Sequence, residues 1–450
     1  MHASETTTIA LRRVLLAVGL AVALPCAPLE AQPLTPREAR TRGYINRRYE
    51  SAVSLLERLV NIGSGSLNAA GVRAVGSVLR ARLDSLGFTT SWVELPPEMR
   101  RGGHLVAVRK GPRAKPDGQR ILLIGHLDTV FEGEGQRFAR RDTVARGAGT
   151  ADMKGGDVVI VLALEALASI GALDEMEVRV VFTGDEESTG RPVEVTREPL
   201  RQAARESDVA LAFEGGDART ATISRRGSSG WILTVTGRQA HSSGIFRPGT
   251  GYGAIFEASR ILNGFRERLS NQQYLTFNPG AIVGGTEVSF DSMAVSGTVA
   301  SKTNIIAKSL VVQGDLRFLT EGQKDSARAV MREIVSENLP GTTARISFTD
   351  SYPGMPPSDG SRAVLAVFDG VSQALGYPAI EALPPDRRGA GDIAFVGDIV
   401  PSLDGLGPDG FGAHSPEEGV YLPSLKMAAE RAAVLMARLA RIEGSGQPTP

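Results

Sequence analysis

Five short segments place histidine or carboxylate side chains directly after an apolar run or inside a glycine-bounded turn. They contain His126 with Asp128, Asp152, the Asp-Glu-Glu run at 185–187, Glu214 and His414. Two imidazoles with several carboxylates suit a pair of divalent metal ions. A carboxylate shared by two ions about 3.5–4 Å apart is the usual bridge in two-metal hydrolases. These residue types therefore indicate that metal-assisted hydrolysis is the chemistry the sequence could support.

Each segment, taken singly, also has an ordinary structural interpretation. Asp152 could cap the helix that follows it, and Glu186 with Glu187 could form a solvated acidic turn. Glu214 could be a loop charge, and the histidines could lie in loops without binding anything. Because all five segments share the same kind of placement, one common site is favoured over five unrelated loops.

The elements that would position these residues follow from hydrophobic patterning. Short apolar runs at 121–124, 177–182 and 208–213 predict buried strands, and the apolar stretch 155–170 predicts a helix between two of them. Strands that alternate with helices favour a three-layer α/β domain. Since ligands bind beyond the carboxyl ends of strands in such sheets, we expect the five segments to meet there.

The pattern changes near Arg225 and indicates an inserted domain. Strands and helices follow in the order β-α-β-β-α-β, with the last strand predicted at 343–349, which is the ferredoxin-like α+β pattern. We place this lid or dimerisation domain at 225–342, a usual size for a small domain. It interrupts a catalytic domain predicted at 36–224 and 343–442, and residues 443–450 are predicted to be a disordered tail.

The N-terminus predicts a secretion signal at 1–31. Arg12 and Arg13 precede an apolar stretch at 14–24 that is too short to span a bilayer, and Ala31 offers a small residue for cleavage. A short buried helix is the alternative. A signal implies a secreted or periplasmic protein. Lipid attachment at Cys26 is a minority possibility because Pro25 precedes it.

Composition excludes several partners. Lys and Arg balance Asp and Glu at 50 each, and aromatic residues make up 5% of the chain, which argues against nucleic-acid binding. After the signal, we find no apolar stretch long enough for stable membrane insertion. Cys26 is the only cysteine, so a mature chain would hold metal through His, Asp and Glu.

The order of the motifs resembles that of a known enzyme family. Gly-His-Leu-Asp-Thr-Val, Ala-Asp-Met-Lys-Gly-Gly, Thr-Gly-Asp-Glu-Glu, Phe-Glu-Gly and Gly-Ala-His-Ser occur in that sequence. They resemble the di-zinc metallopeptidase family of glutamate carboxypeptidase (carboxypeptidase G), succinyl-diaminopimelate desuccinylase, acetylornithine deacetylase and aminoacylase. The resemblance covers nearly all of the mature chain and is closest to the glutamate carboxypeptidase branch.

The resemblance implies roles for named positions. Two Zn²⁺ ions, or another divalent metal such as Co²⁺ or Mn²⁺, would have five ligands: His126 and Glu214 for one ion, Glu187 and His414 for the other, and Asp152 as the bridge. Asp128 would orient His126, and Glu186 would be the general base. The Asp152–Met153 peptide bond is expected to be cis.

The resemblance also implies residues that contact substrate. His241 in the insert would be a catalytic residue that reaches the active site of the partner subunit and stabilises the oxyanion. Asn304 and Arg317 match positions that contact substrate. His241 could instead be an ordinary loop histidine, and Arg317 could instead pair with Asp315 or Glu321. Gly391 lies in a loop where the family often has Ser or Thr, which weakens the expectation of a hydroxyl contact there.

These observations predict a zinc-dependent hydrolase that cleaves an amide bond next to a free carboxylate by a metal-activated water. The expected substrate is a small peptide or an N-acyl amino acid, and the expected assembly is a homodimer formed through the lid domain. An N-acyl amino acid deacylase using the same site is the alternative activity. A catalytically inactive peptide-binding relative is a further alternative, which the presence of Glu186 with a full ligand set argues against.

Overall fold

The computed structural model describes residues 32–133 and 135–441. The predicted signal at 1–31, with Cys26, and the predicted tail at 443–450 lie outside the described residues. In the described part of the chain, no helix has the length and apolar character needed to cross a membrane.

The described residues form eight α-helices and eighteen strands. The helices are α1 (Pro36–Val60), α2 (Ala69–Ser85), α3 (Lys154–Ser169), α4 (Val193–Arg205), α5 (Gly253–Leu269), α6 (Glu321–Ser336), α7 (Asp359–Ala374) and α8 (Leu422–Leu439). The first nine strands are β1 (Thr89–Val93), β2 (His104–Lys110), β3 (Ile121–His126), β4 (Ala139–Arg141), β5 (Val144–Arg146), β6 (Glu177–Thr183), β7 (Val209–Ala212), β8 (Thr220–Ala221) and β9 (Gly227–Gly237). The other nine are β10 (Thr276–Gly285), β11 (Glu287–Asp291), β12 (Ser296–Ala300), β13 (Ser309–Phe318), β14 (Thr342–Asp350), β15 (Glu381–Ala382), β16 (Ser402–Leu403), β17 (Gly410–Phe411) and β18 (Gly419–Tyr421).

A six-stranded sheet forms the middle layer of the first domain, in the order β1-β2-β6-β3-β7-β16. Strands β6, β3, β7 and β16 run parallel, and β2 pairs antiparallel both with β6 and with the edge strand β1. The central strand β3 is buried on both faces because helices cover both. Ile121 and Leu123 pack in the core shared with α1, α3 and α8, and Leu122 and Ile124 pack in the core shared with α4. The predicted three-layer α/β domain is confirmed.

The second domain is a four-stranded antiparallel sheet in the order β10-β13-β9-β14, with α5 and α6 packed against it. The chain order β9-α5-β10-β13-α6-β14 confirms the predicted ferredoxin-like pattern. The buried positions of α6 (Ala327, Met331, Ile334 and Val335) show why the segment is helical: their spacing places them on one face. A hairpin of β11 and β12 is added between β10 and β13.

The predicted end of the insert at residue 342 is wrong. Strand β14 pairs with β9 along its whole length, from Thr342 opposite Gly237 to Asp350 opposite Ser229. A boundary at 342/343 would remove this edge strand from the sheet that it completes, so the second domain extends to about Asp350. Beyond it, the returning chain hydrogen-bonds to the outgoing one, where the amides of Arg225 and Met355 each donate to the other's carbonyl at 2.9 Å.

Candidate metal centre

The carboxyl ends of three neighbouring parallel strands bring the first candidate ligands together. His126 is the last residue of β3, the 185–187 run follows β6, and Glu214 follows β7. Because β6, β3 and β7 are adjacent and parallel, these ends lie at one edge of the sheet, as the sequence predicted. Asp152 lies two residues before α3, and His414 lies in the loop between β17 and β18.

Asp152 lies between the two histidines. Its Oδ1 is 3.1 Å from Nε2 of His126, and its Oδ2 is 3.2 Å from Nε2 of His414. Each oxygen of one carboxylate thus faces a different imidazole, which is the arrangement a bridging ligand requires. The peptide bond from Asp152 to Met153 is cis, as expected from the resemblance.

A further carboxylate completes each half of the group. Oε1 of Glu214 is 3.7 Å from Nε2 of His126, and Oε2 of Glu187 is 3.2 Å from Nε2 of His414. The two halves differ in access, because the His126 side chain is 1% exposed and the His414 side chain is 58% exposed. A substrate would therefore approach from the His414 half.

The donor set fits metal ions. Ligand atoms of His126, Asp152 and Glu187 all lie within 4.8 Å of one another, close enough to share an ion. The other oxygen of Glu187, Oε1, is buried and has no hydrogen-bond partner among the residues that the structure describes. Imidazole nitrogens and carboxylate oxygens are suitable ligands for zinc and similar divalent ions.

The electrostatics of the group also favour a cation. Burial, reinforced by the charge of Asp152, raises the pKa of Glu214 to about 8. Burial likewise raises the pKa of Glu187, and hydrogen bonds to Asp152 and Glu187 raise the pKa of His414 to about 10. The group places three carboxylates, Asp152, Glu187 and Glu214, against two histidines, and divalent ions would neutralise this excess of negative charge.

Asp128 supports the site in two ways, only one of which the sequence predicted. Nδ1 of His126 lies 3.0 Å from the backbone carbonyl of Asp128 and 3.5 Å from its Oδ1, so the carbonyl makes the closer orienting contact. The carboxylate accepts hydrogen bonds at 3.0 Å from the amides of Glu186 and Glu187 and at 2.6 Å from the Ser66 hydroxyl. Asp128 thus also fixes the loop that carries the expected base.

Glu418 is a supporting residue that the sequence analysis missed. Its buried carboxylate accepts hydrogen bonds from the amides of Gly149, Ala151 and Asp152 at 3.0, 2.8 and 3.0 Å. These three bonds hold the turn that presents Asp152. A glutamate four residues after His414 was the available signal, but its partners lie more than 260 residues away in the sequence.

Three predicted substrate contacts lie in the second domain. His241 is exposed and its Nδ1 lies 2.9 Å from Oγ of Ser243. Asn304 is exposed, and Arg317 pairs with Asp315 at 2.8 Å, one of the alternatives considered for it. No described hydrogen bond or ion pair joins these three side chains to the metal group, so their contact with substrate remains a prediction.

Gly391 has a structural explanation in this chain. A Cβ added there would lie 2.7 Å from Cζ of Arg225, so the guanidinium occupies the space that a Ser or Thr side chain would need. Arg225 donates through Nε to Asp404 at 2.6 Å and through Nη1 to the carbonyls of Gly389 and Ala390 at 2.9 and 2.8 Å. The glycine-rich loop is therefore held by a buried arginine rather than by a hydroxyl of its own.

Arg388 is a second residue that the sequence analysis did not select. Its guanidinium donates to the carbonyl of Gly215, next to Glu214, and its Nε is buried without a hydrogen-bond partner within the described ranges. Burial, followed by the neighbouring Arg225, lowers the pKa of Arg388, whereas Asp404 and Glu214 raise it. It lines a cavity of about 180 Å³ with Gly216.

Solved structures of other proteins have a similar fold. Aminopeptidase PepT from Bacillus cereus ATCC 10987 has a similar fold, with a TM-score of 0.71 at 20% identity over 87% of this chain and 99% of that chain. A metallo-carboxypeptidase from Sulfolobus solfataricus gives a TM-score of 0.63 at 12% identity, over 87% of this chain and 99% of that one.

Curated relatives are similar in sequence as well. Carboxypeptidase G2 of Pseudomonas sp. (strain RS-16) is 28% identical over 81% of this chain and 83% of its own length. A succinyl-diaminopimelate desuccinylase from Leptothrix cholodnii is 27% identical over 83% of this chain and 94% of its own. The family model described as peptidase family M20/M25/M40 matches residues 122–438, a span that contains all five candidate ligands. These findings confirm the resemblance, and the chain belongs to peptidase family M20/M25/M40.

Proposed function

We propose that the chain is a two-zinc hydrolase that cleaves an amide bond next to a free carboxylate, as a carboxypeptidase resembling glutamate carboxypeptidase. Membership of the family makes the chain a hydrolase of the peptidase and amidohydrolase kind. The observation that carries the two-metal part of the proposal is the position of Asp152, whose two oxygens each face a histidine with its own carboxylate partner.

The metal ions would be held in two halves that share Asp152. His126 and Glu214 would hold one ion, and Glu187 and His414 the other, with Co²⁺ or Mn²⁺ as alternatives to Zn²⁺. When bound, such ions make a water molecule more acidic and polarise the scissile carbonyl.

Glu186 is proposed as the general base that takes a proton from the attacking water and delivers it to the leaving nitrogen. Its side chain is half-buried and has no hydrogen-bond partner among the described residues, so it is free to exchange a proton. Burial raises the pKa of Glu186 well above the ordinary range, and the charges of Glu214 and Asp392 raise it further.

Arg388 is proposed as an anchor for the carboxylate of the substrate. Its half-buried guanidinium donates to the carbonyl of Gly215, which follows Glu214 in the sequence, and it lines a cavity together with Gly215 and Gly216. Its Nε has no hydrogen-bond partner among the described residues. Arg317 stays a candidate for this role, although it would have to leave Asp315. Guanidinium groups bind carboxylates in a two-pronged geometry that gives specificity as well as affinity.

The second domain is proposed to act as a lid and as the interface of a homodimer. Three apolar side chains near the His241 loop are about half exposed: Phe246 at 53%, Ile255 at 49% and Phe256 at 48%. An exposed apolar cluster of this kind is typical of an interaction surface. His241 and Asn304 would then act on a partner subunit's substrate. Secretion or periplasmic location is proposed from residues 1–31 alone.

An N-acyl amino acid deacylase is the second candidate function. The relative that is named a desuccinylase, similar over 94% of its own length, favours it. Both candidates require an amide next to a carboxylate, so they differ in the acyl group that the enzyme releases.

A substrate panel tests the proposal. We expect hydrolysis of dipeptides and N-acyl amino acids with a free C-terminal carboxylate, and a much higher KM for the matching C-terminal amides. Arg388→Gln should raise KM for the acids by roughly tenfold to a hundredfold, since a hydrogen bond to a charged group is worth about 1.5–3 kcal/mol. The same substitution should hardly change KM for the amides. Arg317→Gln is the matched comparison, because Arg317 is the other candidate for anchoring the substrate carboxylate. Equal KM values for acids and amides in the wild type would contradict the proposed specificity.

A further inference from the structure

The backbone of Glu186 is held from two directions. Its amide donates to Oδ1 of Asp128 at 3.0 Å, and its carbonyl accepts a hydrogen bond from the hydroxyl of Tyr352 at 2.6 Å. The first contact comes from within the first domain, after β3. The second comes from the segment that follows β14, where the chain returns from the second domain. The residue proposed as the base is therefore in direct contact with the domain junction.

The junction around Tyr352 is a short antiparallel ribbon. The amide of Ser228 donates to the Tyr352 carbonyl at 2.9 Å, and the amides of Arg225 and Met355 each donate to the other's carbonyl. The outgoing and returning segments are thus tied together around the start of β9 and just after the end of β14. A change in the position of the second domain would be transmitted to Tyr352 through this ribbon.

The hydroxyl of Tyr352 is itself positioned by buried groups. It lies 3.0 Å from Oγ1 of Thr189 and 3.3 Å from Nη2 of Arg197, and its ring packs on Phe395 with centroids 5.1 Å apart. Arg197 is fully buried and ion-paired with Asp185, the residue before Glu186, at 2.5 Å. The tyrosine therefore has one well-defined orientation, with its hydrogen directed to the Glu186 carbonyl.

We propose that Tyr352 is a positioning residue that aligns Glu186 and couples this alignment to the place where the second domain joins the first. The inference rests on the proposed role of Glu186 as the base and adds to it. Tyr352 would not contact the substrate. Because a small displacement of a catalytic group can slow a reaction strongly, a residue that fixes the backbone of the base should affect turnover more than binding.

Tyr352→Phe is the test, because it removes the hydroxyl and keeps the ring against Phe395. We expect kcat to fall roughly threefold to tenfold, in line with the loss of one neutral hydrogen bond, while KM stays within about twofold. Metal content should be unchanged. Tyr377→Phe is the matched control, since that hydroxyl donates to Glu430 at 2.7 Å in the same domain without a described contact to the metal group. It should leave kcat unchanged.

A double-mutant cycle distinguishes positioning of the base from general weakening. In a Glu186→Gln background, adding Tyr352→Phe should change the residual kcat less than twofold, because there is no base left to align. Equal falls in both backgrounds, a rise in KM that matches the fall in kcat, or loss of metal would overturn the role of Tyr352. Full activity of Glu186→Gln alone would instead overturn the proposed function. Thermal unfolding of each variant shows whether the protein is folded.

Discussion

Replacing Glu186 with glutamine is expected to lower kcat roughly 10²- to 10⁴-fold, the range that a general acid-base residue contributes. The substitution keeps the shape of the side chain and removes its ability to hold a proton. The contacts from Asp128 and Tyr352 are made to the backbone, so the loop should keep its conformation. Both metal ions should stay bound, because the Glu186 side chain is not among the candidate ligands. Steady-state kinetics with a single substrate measures kcat, and elemental analysis of the purified variant measures its metal content.

Glu187→Gln is the matched control, since the two carboxylates are adjacent in sequence and differ in what they face. Oε2 of Glu187 lies 3.2 Å from Nε2 of His414, so this variant should lose metal from the His414 half as well as activity. Glu186→Gln with normal turnover, or with the same loss of metal as Glu187→Gln, would show that the assignment of base and ligand is incorrect.

Asp152→Asn is expected to abolish the metal-dependent activity by weakening both halves of the site together. It removes the one carboxylate whose two oxygens face both histidines. Changing a residue that only supports a metal ligand typically lowers metal affinity roughly 10- to 100-fold. Asp152→Asn should lower it by more, because Asp152 is itself a candidate ligand. Elemental analysis after dialysis should find fewer than two ions per chain, and activity should return only partly with excess zinc.

Asp157→Asn is the control for this substitution. Asp157 lies in the first turn of α3, five residues after Asp152, and both of its oxygens are buried without a hydrogen-bond partner in the described part of the chain. Burial raises the pKa of Asp157 well above the ordinary range, which favours the uncharged form, and we expect asparagine to replace it without loss of metal. The proposed bridge would be contradicted if Asp152→Asn still bound two metal ions per chain, or if Asp157→Asn lost both metal ions.

The sequence predicted where three of the candidate ligand segments meet, because His126, the 185–187 run and Glu214 each lie at the end of a strongly patterned strand. An apolar strand such as β3 is recognisable from consecutive residues, and parallel strands that are neighbours must bring their carboxyl ends together. The family resemblance implied the bridging role of Asp152, and the structure places this residue between His126 and His414.

The supporting residues could not be predicted, because their partners are distant in the sequence. Glu418 holds the turn that presents Asp152, and Tyr352 reaches Glu186 from the junction between the two domains. The absence of a hydroxyl at position 391 was visible in the sequence, but its cause is the side chain of Arg225, which only the tertiary structure brings there. Tertiary contacts of this kind leave no periodic pattern in the amino-acid sequence.

The misplaced boundary at residue 342 has a similar origin. The pattern of β14 identifies a strand, but it does not state which sheet the strand joins. Its alternation of half-buried and exposed positions fits the edge of either sheet, and only the pairing with β9 assigns it to the second domain. The predicted β-α-β-β-α-β order already counted this strand in the insert, whereas the boundary at 342 left it outside, and the pairing with β9 shows that the order was correct and the boundary was wrong.

The most direct test of the two-metal site is a zinc titration of metal-stripped wild-type protein, with hydrolysis of an N-acyl amino acid as the readout. We expect no hydrolysis without metal, because the bound ions would acidify the attacking water and polarise the scissile carbonyl. We expect full activity once two ions are bound per chain. Hydrolysis that continues unchanged after both ions have been removed would contradict the proposed mechanism.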